Sequence, residues 1–159
     1  MRAAAIIAMV LTLAPGAYAQ SSRPGVNDTR DIEDCIKSSG ADVSKAERCI
    51  GIVSEPCLNK DKTRSTADMN ACIDRERLVW DDILNETYRR LSGKLDAAQK
   101  GKLRDMQRAW IASRDKTCAF YWDYFQGTMA SPMGAGCVNR ETARRALFLL
   151  GFLNDAEGK

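Results

Sequence analysis

The chain has 159 residues, of which 45% are hydrophobic and 28% charged, and its formal net charge is +3. That charge is small and its bases are mixed with acids, so it does not predict a nucleic-acid partner. The chain has six Cys and no His, which excludes a Ser-His-Asp or Cys-His catalytic system. No two cysteines have C-x-x-C spacing. We therefore expect a protein that is not an enzyme and that has no metal site and no cofactor.

An export signal is predicted at the amino terminus. Residues 1–2 are a short positive start, residues 3–14 are an apolar run, and Ala17-Tyr18-Ala19 has the small-x-small form of a signal peptidase site. The apolar run is short for a membrane span. We expect cleavage after Ala19, a periplasmic or secreted protein, and no membrane span in the mature chain. The alternative is an uncleaved anchor helix.

An even number of cysteines in an exported chain predicts disulfides. Pairing neighbours along the chain gives three bonds. Each closes a loop and thereby stabilises the folded state by roughly 3 kcal/mol. These pairs are Cys35–Cys49, Cys57–Cys72 and Cys118–Cys137. A rival pairing joins Cys72 to Cys118, which are expected at similar depth on facing helices, and this leaves Cys57 to pair with Cys137.

The mature chain is predicted to begin with a polar linker, residues 20–30, and a short helical hairpin, residues 31–56. The first helix of that hairpin is expected over 31–38. The second is expected over 45–53, with Ser44-x-x-Glu47 as its capping box and Pro56 as its stop. A hairpin this short buries little apolar surface, so a disulfide is the usual means of stabilising it.

Two long helices are predicted next, and they open the main domain, residues 57–155. Ser65-x-x-Asp68 caps the first helix, and Gly93 is suited to a left-handed position at its end. Asp96-x-x-Gln99 caps the second helix, which is expected to reach about Phe125. Because only about four residues join the two helices, we expect them to be antiparallel neighbours.

The second long helix carries a stripe of residues at spacings of three and four, which places them on one face. The stripe consists of Leu103, Gln107, Trp110, Arg114, Cys118 and Tyr121. A guanidinium keeps its charge, so a buried Arg114 demands a partner. The expected helix register puts Glu76 level with Arg114, and we predict an ion pair between them. Arg114 is either an arginine that pairs at the edge of the core or part of a functional polar cluster.

Residues 126–138 are predicted to form a loop, because they combine three glycines, a proline and two methionines. Asn139 is expected to cap a last helix, residues 140–153. The predicted fold is therefore all-α: an antiparallel hairpin of two long helices, a third C-terminal helix and the short N-terminal hairpin, all stapled by disulfides.

Three strings, L-N-E-T-Y, L-R-D-M-Q-R-A-W-I-A-S-R-D-K-T-C and C-V-N-R-E-T-A-R-R-A-L, together resemble the lysozyme inhibitor LprI N-terminal domain family. Q-R-A-W-x-x-x-R-D-x-x-C is the most specific part, and Cys57, Cys72, Cys118 and Cys137 match the family's pattern in order. The family consists of exported bacterial helical domains, and one mycobacterial lipoprotein gives it the name of lysozyme inhibitor. This chain lacks that member's lipid-attachment Cys. The signature positions are Asn85, Tyr88, Gln107, Trp110, Arg114, Asp115, Thr142 and Arg144.

The resemblance implies a protein that binds and blocks a peptidoglycan-cleaving glycosidase of the lysozyme type. Such a blocker needs a segment that enters the enzyme's cleft, and the predicted loop is the candidate, since glycines let its backbone approach closely and methionines give adaptable contacts. Its candidate binding residues are Gln126, Met129, Met133, Gly134 and Gly136. The alternative function is a non-catalytic structural or interaction module with another envelope protein as partner.

Overall fold

A computed structural model describes residues 23–40, 42–60 and 65–158 of the chain. The predicted signal peptide and its cleavage site lie outside these residues, as does the beginning of the predicted linker. The described residues form helices and connections without any strand, which confirms the all-α class.

Within the described residues, five α-helices and one 3-10 helix make up the fold. In chain order they are α1 (Asp28–Ser38), the 3-10 helix (Val43–Cys49), α2 (Ser54–Leu58), α3 (Thr66–Lys94), α4 (Ala97–Phe125) and α5 (Ala130–Glu157). The three long helices form the body of the molecule, and the three short ones cover one side of it.

The starts of α3 and α4 are those that the sequence predicts. The Ser65 side chain accepts a hydrogen bond from the backbone N–H of Asp68, and Asp96 does the same for Gln99, each within a complete capping box. The end of α3 differs from the prediction, because Gly93 is helical and Leu95 is an extended C-cap. A two-residue link with extended backbone requires no left-handed glycine.

Helix α5 packs against both α3 and α4, whereas α3 and α4 contact each other little. Side chains of α3 bond to residues of α5 that lie 61, 63 and 67 positions later, so α3 and α5 run parallel. Helix α4 runs antiparallel to both. We expected the contact between α3 and α4 to be the centre of the core. Instead, α5 contacts both of these helices and joins them.

The core lies mainly between α3 and α5. Its largest fully buried apolar side chains are Trp80, Ile32, Leu149, Leu153 and Val79. Burying an aliphatic or aromatic side chain of this size contributes about 1.5–3 kcal/mol. Because Ile32 belongs to α1, the same core also holds the short N-terminal helices against the bundle.

The N-terminal helices depart from the predicted hairpin in their details. Helix α1 begins at Asp28 rather than residue 31, and Asp28 forms an ion pair with Arg75 of α3 at 2.7 Å. The second segment is a 3-10 helix, and the Asp42 side chain, rather than Ser44, caps it. Pro56 lies in the first turn of α2, where a proline is tolerated because that N–H has no helical partner.

The disulfides follow the pairing of neighbours along the chain. Cys35–Cys49, Cys57–Cys72 and Cys118–Cys137 are all formed. The rival pairing required α3 to face α4, and the placement of α5 between them removes that possibility. Cys57 belongs to α2, so its disulfide with Cys72 joins α2 to α3.

The predicted long loop is the largest error in the sequence analysis. Helix α5 begins at Ala130, so the connection from α4 spans residues 126–129. Pro132 lies in the first turn of α5, where it is compatible with a helix. Gly134 is buried in the helix, and a Cβ there would collide with the Trp122 indole. These small residues serve close helix packing rather than loop flexibility.

Within the described parts of the chain, none of the helices combines the length and the apolar character that a membrane crossing requires.

Candidate functional site on the α4–α5 hairpin

Glu76 is fully buried and is not the partner of Arg114. Its carboxylate accepts hydrogen bonds from the backbone N–H groups of Gly51, Val53 and Ser54 at 2.7–3.1 Å. It accepts three more from the Ser54 hydroxyl, the Trp80 indole and the Asn139 amide. A buried carboxylate can remain without a cation when donors satisfy its oxygens in this way.

This network gives Glu76 a structural role. It holds the start of α2, one turn of α3 and the middle of α5 at a single point. Asn139 was predicted to cap a helix, but it lies inside α5 and donates to Glu76. The sequence places Glu76 correctly on a buried face but does not reveal its partners, because three of them are backbone groups of a distant segment.

The stripe on α4 faces α5. Gln107 accepts a hydrogen bond from Arg145 at 2.8 Å, and Cys118 is bonded to Cys137. Arg140 of α5 lies over the Tyr121 ring, 6.0 Å from its centroid. The predicted stripe therefore exists as a helix-packing face, but its partner is the third long helix rather than the first.

Arg114 lies at the margin of this interface and pairs with its neighbour in sequence. Its guanidinium donates to Asp115 at 2.8 Å and lies 5.0 Å from the centroid of the Trp110 ring. The Arg114 side chain is 20% exposed, and Asp115 is exposed. The predicted ion pair with Glu76 is wrong because the two residues lie on different interfaces of α5.

Arg145 is the charged residue that the sequence analysis missed. It is 8% exposed, and within the described residues it forms no ion pair with a carboxylate. Its guanidinium lies 5.5 Å from the centroid of Trp110 and 5.0 Å from that of Phe148. Its Nη2 atom is buried without a hydrogen-bond partner. Burial lowers the pKa of the Arg145 guanidinium below its usual range.

The remaining signature residues do not join this cluster. Asn85 is exposed on α3 and donates to Asp81 at 3.2 Å, and Tyr88 packs partly buried against the core. Thr142 is buried in α5, while Arg144 is exposed and pairs with acids of the 3-10 helix and of α5. The site residues predicted from the resemblance thus fall into separate groups, and only Gln107, Trp110, Arg114 and Asp115 lie together.

A second unusual surface lies at the carboxyl end of α4. Phe120 is 62% exposed and Tyr124 is 69% exposed, with their ring centroids 5.8 Å apart. Together with Tyr121 and Phe125 they line a shallow groove of about 250 Å³. The backbone then turns through Gln126 at a φ of 41°. We call the exposed residues here, Phe120, Tyr124, Phe125, Gln126 and Met129, the aromatic end.

The aromatic end is held by structure on both sides. The disulfide from Cys118 to Cys137 fixes its base to α5. Trp122, although half-exposed, lies against Gly134 on α5. Among the described residues, no three Asp, Glu or Cys side chains are arranged to hold a metal ion. The α4–α5 hairpin presents aromatic rings for apolar contact and guanidinium groups as hydrogen-bond donors. Both are common in binding surfaces.

Fold and surface define a disulfide-stapled helical protein whose exposed aromatic and cationic groups lie along one helical hairpin. The sequence model of the Lysozyme inhibitor LprI family matches residues 57–149, and the chain belongs to that family. It is also 33% identical over 110 residues to an uncharacterised protein of Rhizobium meliloti (strain 1021), which covers 60% of this chain and 79% of that protein. No solved structure matches it.

Proposed function

We propose that this protein is exported, loses its leader after Ala19, and blocks a lysozyme-type glycosidase in the periplasm or outside the cell. The family to which the chain belongs supports the inhibitory role. Three disulfides are consistent with an exported protein, because such bonds persist in oxidising compartments.

The observation that carries the proposal is the aromatic end. Monomeric proteins seldom expose several large apolar side chains side by side, and such patches mark interaction surfaces. Phe120, Tyr124 and Phe125 are adjacent and exposed. Aromatic side chains have few rotatable bonds, so they supply contact area at a low entropic cost.

A glycosidase cleft is a suitable partner for this surface. Substrate clefts are concave and largely lined by apolar and aromatic groups, with carboxylates at the reacting bond. The aromatic end stands on a helix fixed by a disulfide at its base, so little ordering remains to be done on binding. The net charge of +3, which includes Arg2 of the leader, does not favour long-range steering towards a basic enzyme. Affinity is therefore expected to come from short-range contact.

The aromatic end replaces the loop that we expected from the sequence. Gln126 and Met129 stay in the proposed surface because both are exposed. Met133, Gly134 and Gly136 leave it, since they lie within α5 and Gly134 is buried beneath Trp122.

The test is an inhibition assay with the mature protein against a panel of lysozymes and bacterial peptidoglycan-cleaving glycosidases. The variant is Phe120→Ala with Tyr124→Ala. The control is Phe152→Ala, which removes an aromatic side chain of α5 that is 49% exposed and lies outside the aromatic end. We expect the wild type and the control to inhibit, and the first variant to lose about tenfold or more in affinity, as hot-spot aromatics do.

Equal inhibition by all three proteins would remove the aromatic end from the site. Absence of inhibition by the wild type across the panel would contradict the proposed function. It would leave the alternative, an interaction module of the envelope with a different partner.

A further inference from the structure

The α4–α5 interface contains a cation whose charge no acid among the described residues balances. Arg145 is buried, its Nε donates to Gln107, and its Nη2 has no hydrogen-bond partner. The described residues contain no carboxylate within ion-pair distance of it. Burying a charge costs free energy unless a pair or a set of hydrogen bonds compensates it. The two aromatic rings compensate only a part of this cost.

Arg114 lies against the Trp110 ring, which Arg145 also contacts. Its guanidinium is 5.0 Å from the Trp110 centroid, against 5.5 Å for Arg145. Asp115 pairs with Arg114 through two hydrogen bonds, but the Asp115 side chain is 60% exposed and both bonds are exposed. An exposed pair of this kind is weak and exchanges partners readily. Within the described residues, only one of the two guanidinium groups around the Trp110 indole, that of Arg114, is paired with an acid, and that acid is exposed.

This arrangement matches the chemistry of carboxylate recognition. A guanidinium binds a carboxylate through two parallel hydrogen bonds, which favours arginine wherever that planar group must be recognised. Folding has already removed Arg145 from most of its contact with water, since it is 8% exposed, and this burial lowers the pKa of its guanidinium. The free energy needed to desolvate this cation was therefore largely spent during folding, and it does not have to be spent again when a carboxylate binds.

We propose that Arg145 and Arg114, placed around Trp110, form a carboxylate-binding site, and that its ligand is an acidic side chain in the cleft of the inhibited glycosidase. This inference rests on the proposed function. The cleft of such an enzyme carries two carboxylates. The site lies on the same helical hairpin as the aromatic end, because the face of α4 that carries Trp110 and Arg114 continues to Tyr121, which Arg140 contacts.

The central variant is Arg145→Met. Methionine keeps a long side chain in the interface but removes the charge, and replacing a buried charge with an apolar residue is often neutral or stabilising. We expect unchanged or increased thermal stability together with about tenfold or more weaker binding to an inhibited lysozyme. A residue that only supported the fold would lose stability and affinity together. Arg114→Gln is the second variant, since its side chain is part-exposed and tolerates the change.

The matched control is Arg89→Gln, which removes an arginine from the exposed pair that α3 forms with Glu86. It should bind as the wild type does. The partner side of the contact is tested with a lysozyme whose catalytic acid is changed from Glu to Gln. If that acid is the ligand, the wild type loses affinity for the changed enzyme, and Arg145→Met binds both enzymes equally.

A small carboxylate tests the site without any enzyme. Propionate, titrated against sodium chloride at equal ionic strength, should shift the NMR signals of the Arg145 Nε–H and the Trp110 indole N–H. Those shifts should be absent in Arg145→Met. If the wild type inhibits a lysozyme while Arg145→Met and Arg114→Gln bind it equally well, the inference is overturned and the proposed function stands. If propionate binds but no lysozyme is inhibited, the proposed partner is overturned together with the function, and the site itself is supported.

Discussion

Each of the two interfaces of α5 contains a buried charge, and the two charges differ in how far hydrogen bonds satisfy them. Towards α3, Glu76 is fully buried and receives six hydrogen bonds. Towards α4, Arg145 is buried with one hydrogen bond and two aromatic rings. The first arrangement is complete within the chain, and the second still has an unused donor. On this difference rests our proposal that the α4–α5 interface serves binding, whereas the α3–α5 interface serves stability.

The largest effect is expected at Glu76. Glu76→Gln would turn a donor towards backbone N–H groups that now donate to the carboxylate, and unsatisfied buried groups cost about 1–3 kcal/mol each. We expect a loss of roughly 3 kcal/mol or more in the free energy of unfolding, measured by urea denaturation. Glu86→Gln, at an exposed position of the same helix, should change it by about 0.5 kcal/mol or less. Similar losses in both would contradict the role assigned to Glu76.

A loss of intermediate size is expected at Asp28, which anchors α1 to α3 through Arg75. Burial by itself would raise the pKa of Asp28, but hydrogen bonds from Arg75 and Gly25 outweigh it and lower that pKa. The folded state therefore binds the Asp28 proton less readily than the unfolded state. The stabilisation is complete above the ordinary aspartate pKa of 3.8 and disappears as the pH falls through the lowered value.

Asp28→Asn should accordingly cost about 1–2 kcal/mol at neutral pH, a figure reduced for the partial exposure of Arg75. Urea denaturation at pH 7 and at pH 2 measures the change. The difference between variant and wild type should shrink at the lower pH. A difference that stays constant with pH would show that the ionised carboxylate is not what anchors α1.

The glycines of α5 give a sharper comparison within one helix turn. Gly134→Ala places a Cβ against the Trp122 indole, whereas Gly136→Ala meets only Arg140 Nη1 at 3.6 Å. Alanine favours a helix over glycine by about 1 kcal/mol, so Gly136→Ala should stabilise the protein. Gly134→Ala should be less stable than Gly136→Ala by about 1–2 kcal/mol, because overpacking offsets that gain. Thermal denaturation of both variants decides it, and equal stabilities would show that Trp122 moves aside freely.

The smallest effect is expected at Arg114. Its pair with Asp115 is exposed, and pairs of this kind contribute about 0–1 kcal/mol. Arg114→Ala should therefore reduce the free energy of unfolding by about 1 kcal/mol or less. A loss as large as that expected for Glu76→Gln would contradict the exposed pairing of Arg114 and would agree with the buried ion pair that we predicted from the sequence.

Local signals in the sequence predict the starts of α3 and α4 and the disulfides well. The capping boxes at Ser65 and Asp96 depend on residues three positions apart, and the confirmed cysteine pairs are 14, 15 and 19 residues apart. The periodicity of α4 correctly predicts a packing face. It does not reveal which helix covers that face, because any apolar partner satisfies the same pattern.

The errors have the same physical origin. The segment after Phe125 is rich in glycine and was therefore interpreted as a loop, yet Gly134 is required by the close approach of Trp122. Arg145 is flanked by Ala143, Arg144 and Ala146 in a helix with several arginines, so nothing in the sequence distinguishes it as the buried one. Both features are set by contacts across the α4–α5 interface, which depend on tertiary structure.

Hydrogen exchange tests most directly whether the α4–α5 hairpin is the binding part of the molecule. The backbone amides of the mature protein would be followed by mass spectrometry, alone and with a lysozyme that it inhibits. Our account predicts that binding slows exchange in peptides spanning Trp110 to Met129 and leaves α1, α2 and most of α3 unchanged. Slower exchange confined to α1–α3, with the α4–α5 hairpin unaffected, would contradict it.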